Sequence, residues 1–208
     1  MPKLITFEGI EGSGKSTHAR LLGEHLRARG WDPLVTREPG GTELGAPIRR
    51  LLLDVGSAPV APMTELLLYC ADRAQHVEQV IRPAIAAGRP VVCDRFSDST
   101  LAYQGYGRGL DLAVVRALDG HARGGLTPAL TFVFDCPANE GLERAHRRSP
   151  GTDRMEAAPL AFHERVRQGF LALAAESPAR YCIIDSTRSI DDTQQDVQRR
   201  ALACLEAR

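Results

Sequence analysis

Five apolar runs of strand length recur along the chain with segments of helical period between them, and this alternation constrains the fold more than any other feature. The runs are LITF (4–7), PLVT (33–36), PVVCD (90–94), LTFVFD (130–135) and YCIID (181–185). Between them THARLLGEHLRAR, MTELLLYCADRAQHVEQVI, LAVVRALDGHA, ANEGLERAHRR, FHERVRQGFLALAAE and DDTQQDVQRRALACLEA repeat apolar residues at helical spacing. Apolar strands alternating with helices predict an α/β fold: a mostly parallel five-stranded sheet covered by helices on both faces. Ligands of such a sheet are expected at the carboxyl ends of its strands. No Ser- or Gly-rich linker divides the chain, and 208 residues at 43% hydrophobic suit one core, so residues 1–208 are expected to form a single domain. RRSPGTDRM (147–155) sets helix breakers among arginines and reads as a mobile loop.

Lysine plus arginine equals aspartate plus glutamate, 26 each, so no global field gathers nucleic acid or an acidic membrane, and any polyanion must be bound locally. MPKLITFEGIEG meets a glycine and an acid before a signal peptide or membrane span can develop, which predicts a cytoplasmic protein. Cys70, Cys93, Cys136, Cys182 and Cys204 have neither CxxC pairing nor metal-ligand spacing and read as reduced, buried small hydrophobes. The six histidines form no HExxH pattern, and no structural metal site is expected.

Gly9, Ile10, Glu11, Gly12, Ser13, Gly14, Lys15 and Ser16 satisfy GxxxxGK[ST], with Thr17 following, between a strand (LITFE) and a helix (STHARLL). Glycines let successive N–H groups converge on phosphate oxygens, and the helix N-terminus adds its dipole. Lys15 would reach the β- and γ-phosphates of ATP, and the Ser16 hydroxyl would ligate Mg2+. Two absences narrow the use of the nucleotide. The lone asparagine, Asn139, stands in ANEG and cannot serve as an NKxD-type guanine reader. A hydrolytic motor usually follows its strand-terminal aspartate with glutamate, whereas Asp94 is followed by Arg95, whose planar fork suits a second phosphate. The alternative for Asp94 is a strand-end acid that caps the following turn.

The stretches FEGIEGSGKST (7–17), TREPGGTELG (36–45), IRRLLLD (48–54), LLLYCADRAQHV (66–77), DRFSDSTLAYQGYGRG (94–109) and TDRME (152–156) occur in the order and spacing of thymidylate kinases, and the resemblance spans essentially the whole chain. It implies the P-loop nucleoside monophosphate kinase fold with a short lid (about 144–156), transfer of the ATP γ-phosphoryl group to dTMP with Mg2+, and a homodimer. Within it Arg49 and Arg95 match arginines that hold the acceptor phosphate, and Asp94 is expected near Mg2+, in part through water. Tyr69 matches an aromatic that stacks on thymine, with Arg73 four residues on reaching a base carbonyl. On spacing alone Tyr69 is as well explained as a core aromatic. Thr100 and Tyr103 match residues along the base edge and sugar, and Gln104 lies in the same motif; for all three a helix-surface position is the alternative. Glu38 and Pro39 either shape the acceptor pocket or form a purely structural turn.

Family members take the arginine that stabilises the migrating phosphoryl group from the phosphate loop or from the lid. Ile10, Glu11 and Ser13 include no arginine, so this chain resembles the bacterial lid-arginine type. Arg154 is the first choice, Arg147 and Arg148 are electrostatic neighbours, and Arg144 is assigned to the adenine side. Glu11, an acid in an anion-binding loop, matches a residue facing the acceptor's sugar, where it would accept from the 3′-hydroxyl. Rival readings are a deoxynucleoside kinase and a non-catalytic nucleotide-binding regulator on the same scaffold.

Overall fold

A computed structural model describes residues 3–56, 59–148 and 153–207, with the side chain of Arg148 outside the description. Each apolar run is a strand: β1 (Leu4–Gly9), β2 (Leu34–Arg37), β3 (Val91–Asp94), β4 (Leu130–Asp135) and β5 (Tyr181–Asp185). They pair in parallel in the order β2-β3-β1-β4-β5. Neighbouring β1 and β3 send their chains away in opposite directions, which opens a crevice above their carboxyl ends.

The strands obey a period of two. Ile5, Phe7, Val92, Phe132 and Phe134 face Ala19, Leu22 and Leu26 of α1 (Lys15–Ala28) and Val197, Ala201 and Leu205 of α9 (Ile190–Glu206). On the opposite face Leu4, Val91 and Cys93 pack against Val77, Ile81 and Ala84, and Val133 against Tyr103, Phe162, Val166 and Phe170. Cys70, Cys93, Cys136 and Cys182 are buried, Cys204 is half-buried, and all five are free thiols.

The helices differ from a simple α pattern at two places. α3 (Pro62–His76) runs through a π-helical turn, Val77–Ile81, into α4 (Arg82–Ala86). Pro83 has no amide hydrogen for the ladder, and the wider turn just before it re-spaces the hydrogen bonds. α5 (Ser97–Thr100) likewise continues as a π-helical segment, Leu101–Gly107. That segment is packed inside the molecule, so Thr100, Tyr103 and Gln104 are buried rather than on a solvated helix surface. The remaining helices are α2 (Gly45–Leu53), α6 (Leu112–Ala122), α7 (Ala138–Arg148) and α8 (Leu160–Glu176). α7 extends through Arg147 and Arg148, as the helical pattern of ANEGLERAHRR predicts, so these two residues belong to the helix rather than to the loop expected from 147; Ser149–Thr152 of that expected loop lie outside the described residues. Among the described residues no helix is long and apolar enough to cross a membrane.

Candidate active site

The phosphate loop links β1 to α1. Gly12 has φ +68°, and a Cβ placed there would stand 1.9 Å from the Gly141 carbonyl oxygen, so the loop lies backbone to backbone against α7. Gly14 ends the loop as the N-cap of α1 at φ 90°, without a side-chain cap and without an acid in the first helical turn. First-turn N–H groups of such a helix are available to an anion. Ile10 is buried in the core and anchors the loop, and Ser16 and Thr17 are exposed in the first turn. Ser13 Oγ is buried without a hydrogen-bond partner among the described residues. Lys15 is buried and donates from Nζ to Ile10 O at 3.0 Å. Burial, then the charge of Arg95, pushes its ammonium down from 10.5 to about 8, against the pull of Asp94 and Glu11.

Arg95 follows β3 in a left-handed conformation, φ 68°, unusual for a side chain other than glycine. The turn is held by Arg95 N–H donating to Phe7 O at 2.9 Å and by Phe96 N–H donating to Glu8 Oε1 at 2.8 Å. Ser99 Oγ also donates to Glu8 Oε2 at 2.5 Å. Burial, then Asp98, pushes Glu8 up to about 8. This backbone aims the Arg95 guanidinium across β1: Nη1 donates to Gly9 O (2.9 Å) and Ser99 Oγ (3.0 Å), and Nη2 to Glu11 Oε1 (3.1 Å) and Tyr103 Oη (3.0 Å). Four of its five donors are thus engaged, leaving Nε–H. Glu11 also accepts from Tyr103 Oη at 2.5 Å and pairs with His163 Nδ1 at 3.1 Å. Burial alone would raise its carboxyl, but the His163 hydrogen bond and the charges of Arg95 and Lys15 hold it well below the usual carboxylate range.

A cleft of about 300 Å³ opens over these groups. Glu11, Gly12, Lys15 and Ser16 line its phosphate-loop wall, and Asp94, Arg95, Thr100, Tyr103 and Gln104 line the β3 side. Glu38, Pro39, Arg49, Tyr69 and Arg73 close it opposite. Asp94 Oδ1 is buried without a hydrogen-bond partner among the described residues. Asp94, Ser16 and Arg37 also border an adjoining concavity between α1 and β2. Arg49 donates to Pro39 O at 3.0 Å, and burial, then neighbouring Arg37, lowers its pKa, as expected of a cation gathered with other cations.

Arg73 is 2% exposed, and its guanidinium is almost fully engaged. Nε donates to Glu38 Oε2 (2.8 Å), Nη1 to Thr100 Oγ1 (2.8 Å) and Asp119 Oδ1 (2.6 Å), and Nη2 to Phe96 O (3.0 Å). One Nη2 hydrogen remains for a ligand. Glu38 Oε1 pairs in turn with His76 Nδ1 at 2.8 Å, and the Glu38–Pro39 peptide is cis. Both acids and the histidine are buried, so Glu38 is an anchor of the base-side wall rather than a simple turn residue. Burial raises the Tyr69 phenol, and the ring lines the cleft.

The expected lid arginines separate. Arg154 does not line the cleft: its backbone N–H donates to Leu53 O (2.8 Å), Nε to Leu52 O (2.7 Å) and Nη2 to Glu65 Oε2 (2.8 Å). It is tied to the C-terminus of α2 and to a fully buried acid, so the structure does not bring it to the phosphate loop. Arg147 is exposed and pairs with Glu143 at 3.1 Å, and the side chain of Arg148 lies outside the described residues. Arg144 donates to Ser186 O at 2.9 Å, beside the turn that follows β5.

Sequence reasoning missed the acids that hold these cations. Glu65 takes Gln104 (2.8 Å), Arg108 (3.0 Å) and Arg154; Asp119 takes Arg73 and Arg123 (3.1 Å). A usable signal was the set Glu65, Tyr69, Arg73 and His76, which recurs on one helical face. Glu8, Arg37 and His163 carried no comparable mark. Among the described residues no cluster of three or more His, Cys, Asp or Glu is placed to hold a metal ion.

The sequence model of the family described as Thymidylate kinase matches residues 7–197. A thymidylate kinase of Desulfovibrio desulfuricans is 54% identical over 194 residues, covering 90% of this chain and 89% of the relative. One from Nitratidesulfovibrio vulgaris is 52% identical over 209 residues, covering 98% and 97% respectively. The crystal structure of a thymidylate kinase from Ehrlichia chaffeensis superposes with a TM-score of 0.77 at 32% identity, covering 96% of this chain and 98% of that one.

Proposed function

This chain belongs to the thymidylate kinase family, and from that premise we infer that it transfers the γ-phosphoryl group of ATP to dTMP, giving ADP and dTDP. What supports this most directly is the position of Arg95, which lines the cleft while bonded to the backbone of Gly9 and the carboxylate of Glu11. A cation for the acceptor is thereby built onto the loop that grips the donor. Two mutually repelling phosphates need such fixed charge between them.

In this reading the loop from Gly9 to Thr17 wraps the ATP phosphates, with Lys15 on the β and γ oxygens. Arg49 and Arg95 hold the dTMP phosphate, and the crowding of Arg37, Arg49 and Arg95 around one cleft supports an anion there. Tyr69 stacks on thymine, and the free Nη2 hydrogen of Arg73 donates to a base carbonyl. Thr100 holds Arg73, Gln104 borders the base with its carbonyl oxygen, and Glu38 and Pro39 wall the pocket. Tyr103 and Glu11 border the sugar, Glu11 accepting from the 3′-hydroxyl. Because dTMP already carries an ionised nucleophile near neutral pH, alignment and charge do the work and no strong base is needed.

The family uses ATP with a divalent ion, and Mg2+ is the ion proposed here. The Oδ1 of Asp94, buried without a partner among the described residues, and the exposed Ser16 hydroxyl face the same cleft and suit a hard cation, Asp94 acting in part through water. When bound, the ion neutralises charge on the β and γ oxygens. Residues 1–208 form one domain, and the segment near 144–156 acts as its lid. Since Arg154 is tied at the lid's base, we assign the charge on the migrating phosphoryl to Arg147 and Arg148, and Arg144 to the adenine side. The protein is placed in the cytoplasm, in dTTP biosynthesis. We also propose a homodimer, supported by exposed Leu51, Met63 and Leu67 on the packed pair α2 and α3. A coupled ADP-release assay with ATP and Mg2+ tests the activity: turnover is expected with dTMP and not with thymidine, and preference for thymidine or for another monophosphate overturns it.

A further inference from the structure

We propose that His163 is a positioning residue that orients the Glu11 carboxylate toward the acceptor's sugar. The inference rests on the reading that Glu11 accepts from the 3′-hydroxyl of dTMP. Tyr103 and Arg95 both donate to Glu11 Oε1, at 2.5 and 3.1 Å, whereas His163 Nδ1 meets Oε2 at 3.1 Å. Two donors on one oxygen pin that oxygen but leave the other free to swing about it. The His163 contact fixes the plane of the carboxylate. An anionic carboxylate oxygen accepts two hydrogen bonds, so Oε2 keeps one acceptor direction after His163 has taken the other.

His163 does not line the cleft and acts through Glu11. Its ring is fully buried, set edge-on to Phe162 at 5.4 Å, and Nε2 has no hydrogen-bond partner among the described residues. An apolar side chain would fill this site without stranding a polar nitrogen, so packing gives no reason for a histidine here. The contact with Glu11 does. Because Glu11 is held ionised, it selects the tautomer with the proton on Nδ1, which then donates to Oε2. The same helix, α8, buries Phe162, Val166 and Phe170 against Tyr103, which also donates to Glu11. One helix outside the cleft therefore sets the geometry of both.

The test compares His163→Phe, His163→Asn and Glu11→Ala in steady state with dTMP and 3′-deoxy-dTMP, folding being checked by circular dichroism. His163→Phe removes the donor. His163→Asn places an amide N–H near the position of Nδ1. Loss of a charge-assisted hydrogen bond predicts a KM for dTMP raised roughly tenfold and a preference for dTMP over the 3′-deoxy analogue reduced by a similar factor, with the KM for ATP unchanged. His163→Asn should restore the preference. If Glu11→Ala lowers the preference and His163→Phe does not, the inference is wrong while the reading of Glu11 stands. If Glu11→Ala leaves the preference intact, that reading fails and takes the inference with it. Nitrogen-15 spectra of the wild-type histidines provide a check that needs no variant: a proton on Nδ1 of His163 is expected, and a proton on Nε2 alone overturns the proposal.

Discussion

Replacing Asp119 by alanine should unfold the base-side wall of the cleft at a measurable cost. Asp119 meets Arg73 at 2.6 Å, and the two side chains are 4% and 2% exposed, so solvent hardly screens the pair. Burial is the largest influence on Asp119 and pushes its carboxyl up, with Arg73 pulling it part-way back. Arg73 also suffers from burial, yet Glu38 and Asp119 together more than offset this and raise its pKa. The acid therefore gains little from the pairing, and the guanidinium depends on it. Removing one member of a buried pair costs about 3–5 kcal/mol because the other charge is left behind. The second partner, Arg123, is 27% exposed and adds less than about 1 kcal/mol. At about 2–4 °C per kcal/mol for a chain of this size, the melting temperature should fall by roughly 6–20 °C. Asp119→Asn keeps an acceptor for Arg73 and should cost about 1–2 kcal/mol. Urea unfolding followed by circular dichroism reads both values. A loss below about 1 kcal/mol for Asp119→Ala, or equal losses for the two variants, would refute the reasoning.

Four further outcomes are expected. Since burial and Arg95 lower Lys15 to about 8, kcat/KM for ATP should decline as pH rises through about 8, and Lys15→Arg should move that limb to higher pH. Burial raises Glu8 from 4.5 to about 8, so the native state binds a proton that the unfolded chain has released; stability should fall as pH rises across that interval, and Glu8→Gln should flatten the slope in urea titrations at several pH values. Arg154→Ala should lower stability by about 2 kcal/mol, seen as a lower melting temperature, through loss of its buried contact with Glu65. Arg148→Ala should instead lower kcat by at least about tenfold with melting unchanged.

The sheet was legible because the central strands β1, β3 and β4 are buried along nearly their whole length and so read as unbroken apolar runs, while the less buried β2 and β5 keep the same apolar composition; each run lies within two residues of its strand. The cleft was legible in outline, since GxxxxGKS and the Asp94–Arg95 pair end neighbouring strands. The partners of its cations were not. Asp119 and Glu65 are far from Arg73 and Arg154 along the chain, and although Glu65 shares a helical face with Tyr69, Arg73 and His76, nothing local says which cation each acid holds. The contacts of Arg154 were hidden for the same reason: its motif is local, but Leu52, Leu53 and Glu65, which hold it, come from two other helices. The π-helical course of Leu101–Gly107 was also invisible, because its apolar spacing resembles that of an ordinary helix.

The contact of Gly12 with Gly141 bears on how the molecule could open. A loop and a helix that meet at bare backbone have no side chains to compress or rotate, and neither can slide without collision. The first turns of α7 are thus mechanically continuous with the nucleotide cradle, with Ala145 buried just beyond. A fulcrum for any swing of the arginine-bearing segment then falls beyond Ala145, which leaves Arg147 and Arg148 on the lever's short arm.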